Sequence, residues 1–136
     1  MTAARFATYV YRIAAVWGIL VLTPLYFLFD RIGETDPPPI THPGFYYGFV
    51  ATALAWQVLF AVVASNPQRF VPIMPVAVLE KFAYALTVVV LFAQGRMHGS
   101  DLVFAGTDTL LGLLFLVAFL RLRRTAAPPV RGSAGQ

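Results

Sequence analysis

Cysteine is absent from the sequence. That excludes thiol nucleophiles, disulfide exchange, thiolate–zinc sites and iron–sulfur clusters, together with any four-helix redox protein that works through a CxxC pair. Charge is scarce as well. Only 12% of the 136 residues are Asp, Glu, Lys or Arg, against about 25% in an ordinary soluble domain. So little charge cannot cover a water-soluble globule of this size. It equally excludes a disordered chain, which is polar and charge-rich. No phosphate-binding loop, nucleotide fingerprint, Ser–His–Asp set or HExxH pair occurs, which removes the enzyme classes those motifs serve.

What is present is apolar: 59% of the residues are hydrophobic, and the mean hydropathy is +0.73. The apolar residues gather into four runs, near 13–29, 45–64, 73–92 and 102–120. Each has about 17–20 residues, enough at 1.5 Å per residue to cross a hydrocarbon core of about 30 Å. In lipid the backbone must satisfy its own hydrogen bonds, and the runs are continuous rather than alternating, so each predicts a helix and not a barrel strand. The expected fold is all-α: an integral-membrane four-helix bundle, up-down-up-down, over residues 1–124. Its helices are expected at about 10–29, 44–65, 73–94 and 102–121, followed by a disordered cytoplasmic tail over 125–136. The first run follows Arg5 and Arg12 but lacks a small-residue cleavage site before Asp30, so it reads as a retained anchor. Pro37, Pro38 and Pro39 predict an extended loop after it. Pro72 and Pro75 are expected to open the third helix, and Pro24 to kink the first.

The formal charge is +4. Arg5, Arg12, Arg69, Arg121, Arg123, Arg124 and Arg131 fall on one side of this topology, with Lys81 just inside. Arg31 and Arg96 fall on the other, among Asp30, Glu34, Asp36 and Asp101. The positive-inside rule then predicts a cell-membrane protein with both termini cytoplasmic. The Arg121–Arg124 cluster reads as a topology anchor on anionic lipid, not as a nucleic-acid surface. Tyr9, Tyr11, Tyr26, Tyr46 and Tyr47 are expected at the headgroup levels.

Polar residues in the runs are the candidate site. Glu80, Tyr84, Thr87 and Gln94 share one helical face of the third run; Gln57 lies between Ala53 and Ala61 on the second; Asp108 lies beside Ala105, Thr109 and Gly112 on the fourth. Arg12 shares a face of the first with Ala15, Ile19, Leu22 and Tyr26. Glu80 is expected about 8 Å from the inner edge, either paired with Arg12 or Arg121 or binding a proton or ligand, while Lys81 snorkels to the surface. Asp108 is expected near the outer side with no cation at its depth and Tyr26, Tyr47 and Gln94 as donors. That places the two carboxylates about 13 Å apart, too far for direct proton exchange. His42 and His98, with Asp36 and Asp101, have ligand chemistry for a metal, but their spacing matches no metal motif and they read as loop residues. Trp17, Trp56 and the phenylalanines read as lipid-facing or packing residues that could also line a cavity for a quinone or lipid tail.

The stretch His42-Pro43-Gly44-Phe45-Tyr46-Tyr47-Gly48-Phe49, with Ala55-Trp56-Gln57 and Val78-Leu79-Glu80-Lys81, resembles a family of small bacterial four-helix membrane proteins. More distantly, the layout is similar to the DoxX-like group. The resemblance covers about three-quarters of the chain and carries no catalytic residue. It implies an accessory role beside quinol oxidases or other membrane redox complexes. Three readings follow: a non-enzymatic subunit or scaffold, with the lipid bilayer and a membrane protein partner or second copy as its contacts; a quinone- or lipid-binding redox accessory; and a small proton-coupled transporter using Glu80 or Asp108.

Overall fold

A computed structural model describes residues 1–35 and 39–126. Five α-helices run through it: α1 Ala3–Leu22, α2 Phe29–Thr35, α3 Pro43–Ser65, α4 Met74–Ala93 and α5 Leu102–Ala126. No strand occurs among the described residues. Four stretches, Ala3–Phe27, Pro43–Ser65, Val71–Ala93 and Gly99–Thr125, are helical, long and apolar enough to cross a membrane. The chain is a multi-pass, membrane-embedded four-helix bundle. Leu20, Leu79, Leu86 and Val103 stand exposed on its flank, where hydrocarbon rather than water is their solvent.

Helix boundaries depart from the sequence expectation where polar residues are helical. α1 starts at Ala3, not near residue 10, because Thr2 caps it: its hydroxyl accepts from the Arg5 N–H at 3.3 Å. α1 stops at Leu22, not Phe29. Pro24 lacks an N–H, so the chain tightens into a 3₁₀ turn over Thr23–Phe27 before α2 begins. Part of the expected loop is therefore helical, and Asp36, Pro37 and Pro38 lie outside the described residues. α4 opens as its prolines predict, behind a short 3₁₀ turn over Val71–Ile73. α5 runs through Ala126, with Arg123 and Arg124 in its last turn, where cations suit the helix dipole. The expected tail thus starts inside a helix; residues 127–136 lie outside the described ones.

Packing is unequal around the bundle. α4 packs along α5, α1 along α3, and α1 also meets α5, whereas α3 and α4 are scarcely in contact despite being consecutive. The bundle is closed on three seams and open on the fourth. The half of the bundle nearer the N-terminus of α1 is sealed by an aromatic stack: Tyr11 lies on Phe115 with centroids 4.0 Å apart, and Phe60 meets Phe115 edge-on at 5.0 Å. Tyr11 is fully buried there, so it is a core residue and not the interfacial ring expected. Tyr26, Tyr46 and Tyr47 do gather with Phe29 at the opposite end of the bundle, where the Tyr46 hydroxyl donates to the Leu25 carbonyl at 2.8 Å.

The Tyr11 hydroxyl is buried without a hydrogen-bond partner among the described residues. A buried unsatisfied group costs about 1–3 kcal/mol. Tyr11→Phe keeps the ring stack and removes that group, so it is expected to raise the thermal unfolding midpoint; a lowered midpoint would show that the hydroxyl has a stabilising partner.

Candidate functional site

The polar residues of the four spans do not line one stripe. On α4 the buried face is Met74, Ala77, Lys81, Ala85 and Val88, about one residue round from the expected Glu80–Tyr84–Thr87–Gln94 face. Small residues set this register. Without a hydrophobic drive between helices in lipid, helices meet where side chains let the backbones approach. Ala77 and Ala85 flank Lys81 by one turn each, and Gly112 of α5 faces it. A Cβ on Gly112 would stand 3.2 Å from the Lys81 Cβ. α4 therefore turns Lys81 inward and leaves Thr87 exposed, its hydroxyl donating to the Ala83 carbonyl at 2.8 Å.

Lys81 does not snorkel. It lies next to the centre of Val71–Ala93, and Gly112 is at the centre of Gly99–Thr125. About 15 Å of bilayer separates such a position from either headgroup level, beyond the reach of a four-carbon stem. The side chain is 6% exposed. It runs instead along α5 to Asp108, one turn from Gly112, and donates to both carboxylate oxygens at 3.1 and 3.2 Å. Its ammonium also stands 3.4 Å from the Glu80 Oε2 and 5.2 Å from the centre of the Phe60 ring, a cation–π distance.

Three expectations are overturned here. Asp108 does have a cation at its depth, and it is Lys81, not a set of tyrosine and glutamine donors. The two carboxylates are not about 13 Å apart, because both touch one ammonium nitrogen. The expected depths took the spans as starting near Pro75 and Leu102. The structure extends them to Val71 and Gly99, which moves both acids toward the middle of their spans. Arg12 and Arg121 do not pair with Glu80. Arg12 is exposed on the N-terminal half of α1, beside Arg5 and Tyr9, and Arg121 lies over the Phe6 ring at 4.9 Å. Gln94 is exposed at the end of α4.

Four of the expected site residues do come together. Glu80, Tyr84, Gln57 and Asp108 line one cavity of about 90 Å³ at the centre of the bundle, with Lys81, Trp17 and Gly18. One water needs roughly 10–15 Å³ measured this way, so the cavity has room for several small groups. Gln57 is 3% exposed. Its amide donates to the Ala53 carbonyl at 3.0 Å and packs on Gly18, where any Cβ would collide with the amide oxygen. The Tyr84 ring stacks on Phe49 with centroids 6.3 Å apart.

The open seam between α3 and α4 leads into this cavity. It forms a groove of about 570 Å³ lined by Gly44, Phe45, Gly48, Phe49, Trp56, Val76, Leu79, Glu80 and Tyr84, among others. Phe49, Ala53, Glu80 and Tyr84 line both spaces. A molecule dissolved in lipid thus has a side entrance, apolar along its length and polar at its inner end. The chain matches no protein-family model, no curated protein and no solved structure. The DoxX-like resemblance therefore rests on the four-helix layout alone.

No group of three or more His, Asp or Glu side chains that could hold a metal converges among the described residues. His98 and Asp101 instead close the turn before α5, the His98 N–H donating to Asp101 Oδ2 at 3.0 Å. His42 sits at the start of α3 with its Nδ1 2.7 Å from the Thr41 hydroxyl. Lys81 is the site residue that sequence reasoning missed. Its signal was the alanines one turn to either side, which mark a packing seam; a lysine read by charge alone goes to the surface.

Proposed function

We propose that this is a ligand-binding membrane protein. It takes a lipid-soluble molecule with a hydrogen-bonding polar end, of the quinone class, into the groove between α3 and α4. One observation carries the reading: the groove is open to lipid, large enough for a small ligand, and ends on Glu80 and Tyr84. The aromatic residues along it suit a flat ring, and the polar inner end suits a carbonyl. The role is non-enzymatic, as an accessory to a membrane redox complex, in line with the DoxX-like resemblance. The excess of arginines on one side supports a cell-membrane location with both termini cytoplasmic.

Trp56 lines the groove and Trp17 the inner cavity, and these are the two tryptophans in the chain. In a Trp17→Phe background, Trp56 fluorescence is a local probe. Titration with decylubiquinone in lipid discs is expected to give saturable quenching. Gly48→Leu then tests the place. A Cβ on Gly48 meets nothing within 4 Å, and leucine favours a helix, so the variant folds while its side chain fills the groove. Binding is expected to weaken by about tenfold or more, equivalent to about 1.4 kcal/mol. Unchanged quenching in Gly48→Leu, or quenching that never saturates, counts against the reading.

A further inference from the structure

Three charged side chains meet inside the bundle, in the middle part of the candidate spans, and they do not balance. Lys81 brings one positive charge; Glu80 and Asp108, both ionised, would bring two negative ones. An unmatched charge at that depth is strongly disfavoured, so the cluster is neutral only with one more proton. The hydrogen bonds say which acid holds it. Asp108 receives two from the lysine, at 3.1 and 3.2 Å, the bidentate pairing of an ionised carboxylate. Glu80 has a single 3.4 Å contact to the same nitrogen, and its Oε2 is buried without a hydrogen-bond partner among the described residues.

No other group facing Glu80 alters this count. Tyr84, one turn along α4, offers a hydroxyl. α3 contributes the neutral amide of Gln57, whose oxygen accepts no hydrogen bond among the described residues, and the α1 residues lining the cavity, Trp17 and Gly18 among them, carry no titratable group. α5 contributes Asp108, already paired.

We propose that Glu80 is held as the neutral carboxylic acid while Asp108 is the counter-ion of Lys81, and that the Glu80 O–H is the hydrogen-bond donor offered to a carbonyl oxygen of the ligand in the groove. The ligand half rests on the binding reading above. Placement supports it: Glu80 lines both the groove and the inner cavity, whereas Asp108 lines the cavity alone. A molecule entering from lipid meets Glu80 first. A neutral acid beside a tyrosine hydroxyl offers two donors to a carbonyl acceptor.

The proton and the ligand are tested separately, on the full chain in lipid discs. Infrared spectra at neutral pH are expected to show the carbonyl stretch of a buried protonated acid. Glu80→Gln removes it. Asp108→Asn also removes it, because Glu80 then ionises to serve Lys81. Absence of the band from the native chain, or its survival in Glu80→Gln, overturns the proton assignment whether or not a quinone binds. Decylubiquinone quenching of Trp56 is then followed against pH. Affinity of the native chain is expected to fall by about tenfold per pH unit once the proton is lost, while Glu80→Gln, whose amide keeps a donor, stays within a few-fold of the native acid-pH affinity and is flat with pH. A flat native profile overturns the donor role. A clear infrared band with no saturable quenching at any pH overturns the binding reading and the ligand half together, and leaves the proton site standing.

Discussion

Lys81→Met is expected to destabilise the bundle by about 3–5 kcal/mol, the cost of removing one partner from a buried ion pair. Methionine has nearly the length of the lysine stem and keeps the packing against Gly112 and Phe60. What goes is the ammonium, and with it both hydrogen bonds to Asp108 and the 3.4 Å contact to Glu80. Asp108 is then left inside the bundle without a counter-ion, in a side chain 17% exposed. Replacing the pair as a whole is cheaper than breaking it. Adding Asp108→Asn to Lys81→Met is therefore expected to recover most of the loss. Thermal unfolding of the three proteins in the same detergent checks both points. If Lys81→Met loses less than about 1 kcal/mol, the value of an exposed ion pair, the cluster is open to water and not a buried centre.

The spans were legible because the bilayer sets their length, and a run of about 20 apolar residues answers that one requirement. Their ends were not, because capped polar residues extend the helices beyond the apolar runs. α1 begins ten residues before Ile13 and carries Arg5 and Arg12 in helical turns. This matters for the site, since depth is counted from the ends. Counting from Val71 instead of Pro75 sets Glu80 four residues deeper, toward the middle of its span. Rotational register was the second hidden quantity. The sequence shows polar residues in an apolar helix, and placing those on the inside looks natural. In lipid the inside is chosen by size as well, so Ala77, Ala85 and Gly112 decide that Lys81 faces Asp108. Glu80, Tyr84, Gln57 and Asp108 were identifiable as oddities of their helices. Gln94 shares that polarity but sits at the end of α4, and Arg12, midway along α1, is exposed on the flank of the bundle instead of turned inward.

The open seam was hidden for a different reason. α3 and α4 are joined by the eight residues 66–73, and neighbours so closely connected are expected to pack. Here the residues facing across the gap are too large or too small to mesh. Phe49 and Tyr84 bridge it ring to ring, while Gly44 and Gly48 leave space that no side chain enters. Bulk at one level and absence of it at the next props the helices apart, and the inner acid is left facing lipid.

The opposite wall of the cavity depends on close approach, and there Gly18→Ala is expected to cost about 1–3 kcal/mol, the range for overpacking. An exposed helical glycine replaced by alanine would instead gain about 1 kcal/mol from helix propensity, so even the sign is informative. At Gly18 the new Cβ would lie 2.8 Å from the Gln57 Cγ and would overlap its amide oxygen. Gln57 must then leave its rotamer and give up its 3.0 Å hydrogen bond to the Ala53 carbonyl, or α1 must draw away from α3. Both disturb the surface on which the Glu80–Lys81–Asp108 cluster faces its polar neighbour. Gln57→Ala removes the obstacle, so Gly18→Ala should be nearly free of cost in that background. The two substitutions are expected to couple by about 1–2 kcal/mol, within the range for residues in direct contact. Unfolding midpoints of the native chain, the two single variants and the double variant measure that coupling. Strict additivity, or a gain of stability in Gly18→Ala alone, would mean that α1 and α3 stand further apart at that level, and a cavity floored by Gly18 and Gln57 would not survive that result.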